Sequence, residues 1–204
     1  MGRARTLSIA SVAWGGAAAV AAVAAGLESG SLALIGFGAD SAIDAVASIV
    51  LVWRFHIERH DPDRALRVEH AAERVVGAVL VVAAAGLTLG AGRALLAQAG
   101  SHPGVPQLAL LAASLVVLPP LAIAKRRVAG YLGSKALAND ALLTAAAALL
   151  ALVALIAAVL SASGGLWWAD AVGSLVIAAV LLREGLASVG WSGSDEAEDF
   201  ANQA

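Results

Sequence analysis

Cysteine is absent from the 204-residue chain, and other residue types are scarce. Without a thiol, the chain can form no disulfide, no thiolate metal site and no cysteine nucleophile. Charged residues make up only 14% of the sequence and aromatic residues 4%, whereas hydrophobic residues make up 60%. This composition, with its strongly positive mean hydropathy, is typical of a membrane protein with several spans rather than of a soluble domain.

Long polar segments are also missing, so no soluble domain of useful size is expected. Six apolar runs each approach the roughly 20 residues that a membrane-spanning helix needs. We therefore predict an all-α, polytopic membrane protein with six transmembrane helices, in which residues 1–204 form a single transmembrane domain. The predicted spans are approximately 7–27, 32–53, 75–96, 108–124, 136–160 and 166–186, followed by an acidic tail, 187–204. We expect the most acidic part of this tail, 194–199, to be disordered.

The positions of lysine and arginine predict how these spans are oriented. Twelve of the 13 such residues lie before the first span, between the second and third, between the fourth and fifth, or near the end of the sixth. Only Arg93 lies near the other side. Because positively charged loops stay in the cytoplasm, both termini are predicted to be cytoplasmic. Lys125, Arg126 and Arg127 are assigned in this way to the loop between the fourth and fifth spans.

Two carboxylates interrupt the second span. Asp40 and Asp44 are four residues apart, so they lie on one face of a helix, one turn from each other. Each costs roughly 2.5–3.5 kcal/mol at the centre of a membrane helix, and like charges at this spacing repel each other. A divalent cation between them would offset this cost, and oxygen ligands suit manganese, iron, magnesium or zinc better than copper. We predict that Asp40 and Asp44 bind a metal cation, which protons can replace.

Other interpretations of the pair remain open. The carboxylates could belong to a structural ion pair, for which Arg93 is the one cation within reach, or to a polar seam between helices. An intramembrane aspartyl protease is a third possibility, but its two aspartates normally face each other from different helices. We therefore do not expect the protein to be an enzyme. Nucleic-acid binding is not expected either, because the basic residues follow the membrane topology and form no continuous patch.

Polar residues outside the pair of Asp40 and Asp44 have structural interpretations, and some of them could also bind metal. Asp140 lies about one turn inside the fifth span, where it is either a helix-start residue favoured by the helix dipole or a metal ligand. Asp170 begins the sixth span and is interpreted as an anchor for the start of that helix. His56, His60 and His70 are interpreted as solvated loop residues, although they could collect metal at the cytoplasmic side.

The second and fifth spans open alike, with Gly30-Ser-Leu-Ala-Leu34 and Gly133-Ser-Lys-Ala-Leu137. Six spans with cytoplasmic ends, and Ser31-Leu-Ala-Leu followed by Asp40-x-x-x-Asp44, resemble the membrane domain of the cation diffusion facilitator superfamily of metal exporters. In that family the fifth span carries Ser-x-x-Leu-x-Ala-Asp-Ala, which resembles Ser134 to Ala141 here and aligns Asp140 with the leading aspartate.

Three sequence motifs narrow the resemblance to one branch of this family. They are Gly36-Phe-Gly-Ala-Asp-Ser41, Ala124-Lys-Arg-Arg127 and Trp167-Trp-Ala-Asp170. They resemble a short bacterial branch of cation transporters, which is similar to the vertebrate synaptic-vesicle zinc exporter and lacks the cytoplasmic metal-binding domain. The resemblance implies a homodimer in the lipid bilayer of the plasma membrane, the bacterial inner membrane. It also implies efflux of a divalent cation by proton-coupled alternating access, with zinc expected first, manganese, iron and cobalt open, and no further cofactor.

One departure from the family pattern affects this expectation. Leu143 and Ala147 occupy the positions of the fifth-span ligand pair, so half of the usual four-ligand site is missing. Asp140, Asn139, Thr144 or a second protomer could complete it. The alternative is a membrane interaction protein that kept the transporter scaffold but lost transport.

Overall fold

The computed structural model describes residues 2–57, 62–133 and 135–202. These residues form six α-helices and no strand. The helices are α1 (Gly2–Ser29), α2 (Leu32–Ile57), α3 (Pro62–Ala97), α4 (Val105–Leu132), α5 (Lys135–Gly164) and α6 (Ala169–Asn202). The all-helical architecture predicted from the apolar runs is confirmed.

Within the described part of the chain, five helical segments are long and apolar enough to cross a membrane. They are Ile9–Ser29, Arg74–Ala97, Val105–Tyr131, Leu137–Ser163 and Ala169–Ser188. Each has at least 20 residues. A helix of that length spans the hydrocarbon core of a bilayer, which is roughly 30 Å thick. The remaining helix, α2, carries Asp40 and Asp44. Such a set of helices is that of a polytopic membrane protein.

Helix α2 lies at the centre of the bundle, where it packs against α1, α3, α5 and α6. Two glycines allow this close packing. A Cβ atom on Gly36 would lie 2.8 Å from Leu87 Cδ1 in α3, and one on Gly38 would lie 3.0 Å from the backbone nitrogen of Val23 in α1. Small residues at such contacts let helix backbones approach each other in a membrane. The two glycines therefore set the distance between α2 and its neighbours within the turn that precedes Asp40.

The similar openings of the second and fifth spans correspond to one connection used twice. Gly30 follows α1 with φ +70°, and Gly133 follows α4 with φ +62°, both in the left-handed region that favours glycine. The Gly133 N–H donates to the carbonyl of Ala129, which closes the last turn of α4. After each glycine the chain enters a new helix, so the sequence repeat marks two similar connections between consecutive helices.

Several helices extend beyond the apolar runs that identified them. Helix α3 begins at Pro62, and proline is favoured at the first helical position. His70 therefore belongs to a helix, as His56 does in α2, and the interpretation of these two histidines as loop residues is wrong. Helix α6 continues to Asn202, so the segment 194–199, which was expected to be disordered, is helical. Both extensions contain alanine and glutamate, whose high helix propensity favours continuation of the helix outside an apolar run.

Candidate functional site

One face of α2 carries a row of polar residues that points into the bundle. Asp40 and Asp44 are each 6% exposed, and Ser41 and Ser48 are buried on the same face. Because α2 has neighbouring helices on several sides, these groups face protein rather than lipid. The two residues predicted to bind metal are therefore enclosed by the helix bundle.

Each of these two aspartates has a buried oxygen with unused bonding capacity. Asp40 Oδ2 and Asp44 Oδ1 have no hydrogen-bond partner among the described residues. An ionised carboxylate in an apolar interior costs free energy unless it is paired, protonated or bound to a metal. Carboxylate oxygens are hard donors that suit divalent cations. The pair is therefore suited to hold either a cation or protons.

Asp140 reaches the same region from α5 and is already engaged. Ser48 Oγ donates a hydrogen bond to Asp140 Oδ1 at 2.9 Å, which joins α5 to the polar face of α2. The other oxygen, Asp140 Oδ2, lies 2.7 Å from Lys125 Nζ in an ion pair. Asp140 thus accepts a hydrogen bond through Oδ1 and forms an ion pair through Oδ2, whereas Asp40 Oδ2 and Asp44 Oδ1 have neither among the described residues.

Lys125 is the residue at this site that sequence reasoning missed. Its side chain is 0% exposed, and its ammonium donates to Thr144 Oγ1 at 2.8 Å as well as pairing with Asp140. Its positive charge also attracts the Asp44 carboxylate. The assignment of Lys125 to a cytoplasmic loop is wrong, because α4 continues through Pro119 and Pro120 to Leu132.

The cation expected for a structural ion pair was Arg93, and this expectation is wrong as well. Arg93 lies on α3 with an exposed side chain, whereas the buried cation beside the carboxylates is Lys125. A signal for Lys125 exists in the sequence, because the buried positions of α4 recur at helical spacing. They are Gln107, Leu111, Ser114, Leu118, Ala122, Lys125 and Ala129. The adjacent Arg126 and Arg127 fall off this stripe and are exposed.

Glu184 is a second residue that the sequence analysis did not identify. It is half-buried on α6, and its negative charge acts on both Asp40 and Asp44. It lies three residues after Leu181 and seven after Ile177, two fully buried residues, which is the spacing of one helix face. We call Asp40, Asp44, Asp140 and Glu184 the acidic cluster. Within the described ranges, no three or more histidine, cysteine, aspartate or glutamate residues are grouped closely enough to hold one metal ion together.

The remaining predicted residues lie in different surroundings. Asp170 is buried in the first turn of α6 and binds the start of α2, away from the acidic cluster. Asn139 is exposed, so it does not face the cluster, whereas Thr144 is buried beside Lys125. His60 and the side chains of His56 and His70 lie outside the described part of the structure.

The two α5 positions that align with the ligand pair of the family carry no polar side-chain atom. Leu143 is half-buried and Ala147 is 1% exposed, within the apolar core. Whatever helix α5 contributes to a cation site must therefore come from residues such as Asp140 and Thr144.

Comparison with known protein families agrees with this arrangement of helices. The chain matches the model of the cation efflux transmembrane domain over residues 8–193, which includes part or all of each of the six helices. A search of curated proteins finds no match. The matched family is one of transporters rather than enzymes. With nearly the whole chain covered, this multi-pass membrane protein belongs to the cation efflux family, the transmembrane domain of the cation diffusion facilitator superfamily.

Proposed function

We propose that the protein exports a divalent metal cation in exchange for protons, and that Asp40 and Asp44 bind the cation within the bundle. Zinc is the first candidate, followed by manganese, iron and cobalt. Family membership supplies cation transport as the general activity. The observation that supports this site is the pair of buried, unpartnered oxygens, Asp40 Oδ2 and Asp44 Oδ1.

The chemistry of the pair accounts for exchange. A divalent cation neutralises the two carboxylates, and two protons neutralise them equally well, so in either state the polar face of α2 carries little net charge. The empty, ionised pair is the costly state, and it is therefore disfavoured during the change of access. Metal leaves the cell and protons enter it if the metal binds from the cytoplasm and protons from outside displace it. The protein would act as a homodimer in the plasma membrane, the bacterial inner membrane, with its termini in the cytoplasm.

A second candidate function is that of a membrane interaction protein which no longer transports. Leu143 and Ala147 favour it, because neither residue offers a ligand atom on α5. The ion pair between Lys125 and Asp140 also occupies the carboxylate that could replace them. In this case the acidic residues would affect assembly and stability but not metal flux.

Metal flux in reconstituted vesicles distinguishes the two functions. The purified protein is placed in vesicles with a pH gradient, and uptake of Zn²⁺, Mn²⁺, Co²⁺ and Fe²⁺ is followed with an internal metal indicator. Wild type is compared with Asp40→Asn/Asp44→Asn. Glu28→Gln is the matched control, because it makes the same carboxylate-to-amide change at an exposed position near the end of α1.

Two results decide the matter. Flux in wild type and Glu28→Gln that is lost in the double variant supports a transporter whose site includes Asp40 and Asp44. Wild-type vesicles that move none of the four metals above the protein-free background would contradict the exporter and favour the interaction protein.

A further inference from the structure

A fixed positive charge lies within the acidic cluster. Lys125 Nζ is 2.7 Å from Asp140 Oδ2 and 2.8 Å from Thr144 Oγ1, and the side chain is fully buried. The cluster holds four carboxylates, whereas Lys125 is its only buried cation among the described residues. The lysine therefore neutralises only part of the charge around it.

The ammonium also lies close to the pair proposed to bind the transported cation. Ser48, which donates to Asp140, follows Asp44 by one turn of α2, so the ion pair of α4 and α5 lies beside the next turn of the polar face of α2. Among the charges that act on Asp44, Lys125 is the attractive one, and Asp140 and Glu184 are repulsive. Any metal cation that binds at Asp44 must enter the field of this ammonium.

We propose that Lys125 is a tethered counter-cation, which competes with the transported cation for the acidic cluster and so weakens its binding and speeds its release. This inference rests on the proposed function and adds a residue of α4 that regulates the site on α2. Lys125 would not touch the cation. It would act through its charge, which stabilises the acidic cluster when metal is absent and repels metal when it is present.

A purely structural role explains the lysine less well. Asp140 already accepts a hydrogen bond from Ser48, and a buried ion pair often contributes no more stability than an apolar pair of similar volume. Joining α4 to α5 would therefore not need a charge at this position. A charge matters to the binding of another charge, because one ionised neighbour within about 4–6 Å changes the affinity of a carboxylate for a proton by about 10- to 1,000-fold.

The test measures Co²⁺ and Zn²⁺ affinity in protein held in lipid nanodiscs. Co²⁺ reports binding through its visible absorption, and Zn²⁺ is measured by competition. The variants are Lys125→Met, Asp140→Asn and Lys125→Met/Asp140→Asn. Arg126→Met is the matched control, because it removes a positive charge from the next position of α4, where the side chain is exposed.

We expect Lys125→Met to bind Co²⁺ about tenfold more tightly than wild type. Arg126→Met should stay within roughly twofold, because solvent and salt screen an exposed charge. The decisive comparison is between Asp140→Asn and the double variant Lys125→Met/Asp140→Asn. If the lysine acts by its own charge, removing it from the Asp140→Asn protein also tightens Co²⁺ binding. If it only holds Asp140 in place, this second removal changes nothing, and the proposal is wrong.

Flux measured on the same proteins separates this inference from the proposed function. Faster release requires that Lys125→Met, although it binds more tightly, turns over more slowly than wild type. Equal affinity in Lys125→Met and wild type, with normal flux in both, would overturn the counter-cation while leaving transport intact. Should Lys125→Met not fold, the comparison of Asp140→Asn with the double variant still measures the effect of the charge. Binding that is unaffected by Asp40→Asn/Asp44→Asn would contradict the proposed site itself, and with it the counter-cation.

Discussion

Ser31 and Asp170 join the starts of two helices that are far apart in sequence. Ser31 Oγ donates to Asp170 Oδ1 at 2.5 Å, and the backbone N–H of Leu32 donates to Asp170 Oδ2 at 2.7 Å. Asp170 lies in the first turn of α6, where a negative charge favours the helix dipole. The same carboxylate satisfies the first N–H group of α2, which the residue preceding a helix commonly does. The sequence interpreted Asp170 as an anchor of its own helix, and in the structure it binds a second one as well.

The first prediction is that Asp170→Ala destabilises the protein by about 1–3 kcal/mol. The substitution removes both bonds and leaves the N–H of Leu32 without its partner near the start of α2. The measurement is thermal unfolding in detergent, followed by tryptophan fluorescence. Ser31→Ala, which removes only the hydroxyl, should have a smaller effect. Equal stabilities for wild type and Asp170→Ala would show that this contact does not hold α2 to α6.

The second prediction concerns the close approach of α1 to α2 at Gly38. A Cβ atom there would lie 2.8 Å from Val23 Cγ2 and 3.0 Å from the Val23 backbone nitrogen, so Gly38→Ala forces the two helices apart. We expect a loss of about 1–3 kcal/mol, the usual cost of overpacking. Because Gly38 lies two residues before Asp40, the rate of metal flux should fall as well.

Gly86→Ala provides the matched control, since a Cβ atom on Gly86 would meet no atom within 4 Å. Alanine also has a helix propensity about 1 kcal/mol better than glycine. This variant should therefore be at least as stable as wild type, in the same unfolding experiment. A Gly38→Ala protein as stable as Gly86→Ala would mean that the helices accommodate the methyl group without cost.

The sequence predicted those features that follow from local patterns. Apolar runs identify helices because each span must satisfy its own backbone within the bilayer. Asp40 was conspicuous because a carboxylate is costly in such a run. Lys125 was not, because a basic residue near the end of an apolar run also fits a cytoplasmic loop. Its burial depends on α4 continuing beyond Pro120, and proline usually argues against that.

Contacts between helices were beyond a local pattern. Ser48 and Asp140 are separated by 92 positions in the chain, and nothing in either segment specifies the other. The helical spacing of the inward-facing positions of α4 would have predicted that Lys125 lies on the inner face of that helix. It would not have predicted that Lys125 lies opposite Asp140. Only the packing of α4 and α2 on α5 brings the three residues together.

The third prediction is that the charges of Lys125 and Asp140 depend on each other for stability. Removing one partner of a buried ion pair leaves an uncompensated charge and costs about 3–5 kcal/mol, whereas removing both can be nearly neutral. We therefore expect Lys125→Met to lower the unfolding temperature strongly and Lys125→Met/Asp140→Asn to recover most of the loss. A double variant whose loss equals the sum of the two single losses would exclude coupling between the residues.

The last prediction is that Asp40 and Asp44 lower the stability of the metal-free protein although its function requires them. Both aspartates are buried with an unpartnered oxygen, so their charges oppose folding when no cation is bound. Asp40→Asn/Asp44→Asn should therefore unfold at a higher temperature than wild type in the presence of a chelator. Saturating Zn²⁺ should reverse the order, because a ligand at 100 times its Kd stabilises the folded state by about 2.7 kcal/mol and the double variant has no site for it. Glu28→Gln should follow wild type in both conditions. If Zn²⁺ raises the unfolding temperature of wild type and double variant equally, the metal binds elsewhere, and the two aspartates are not its ligands.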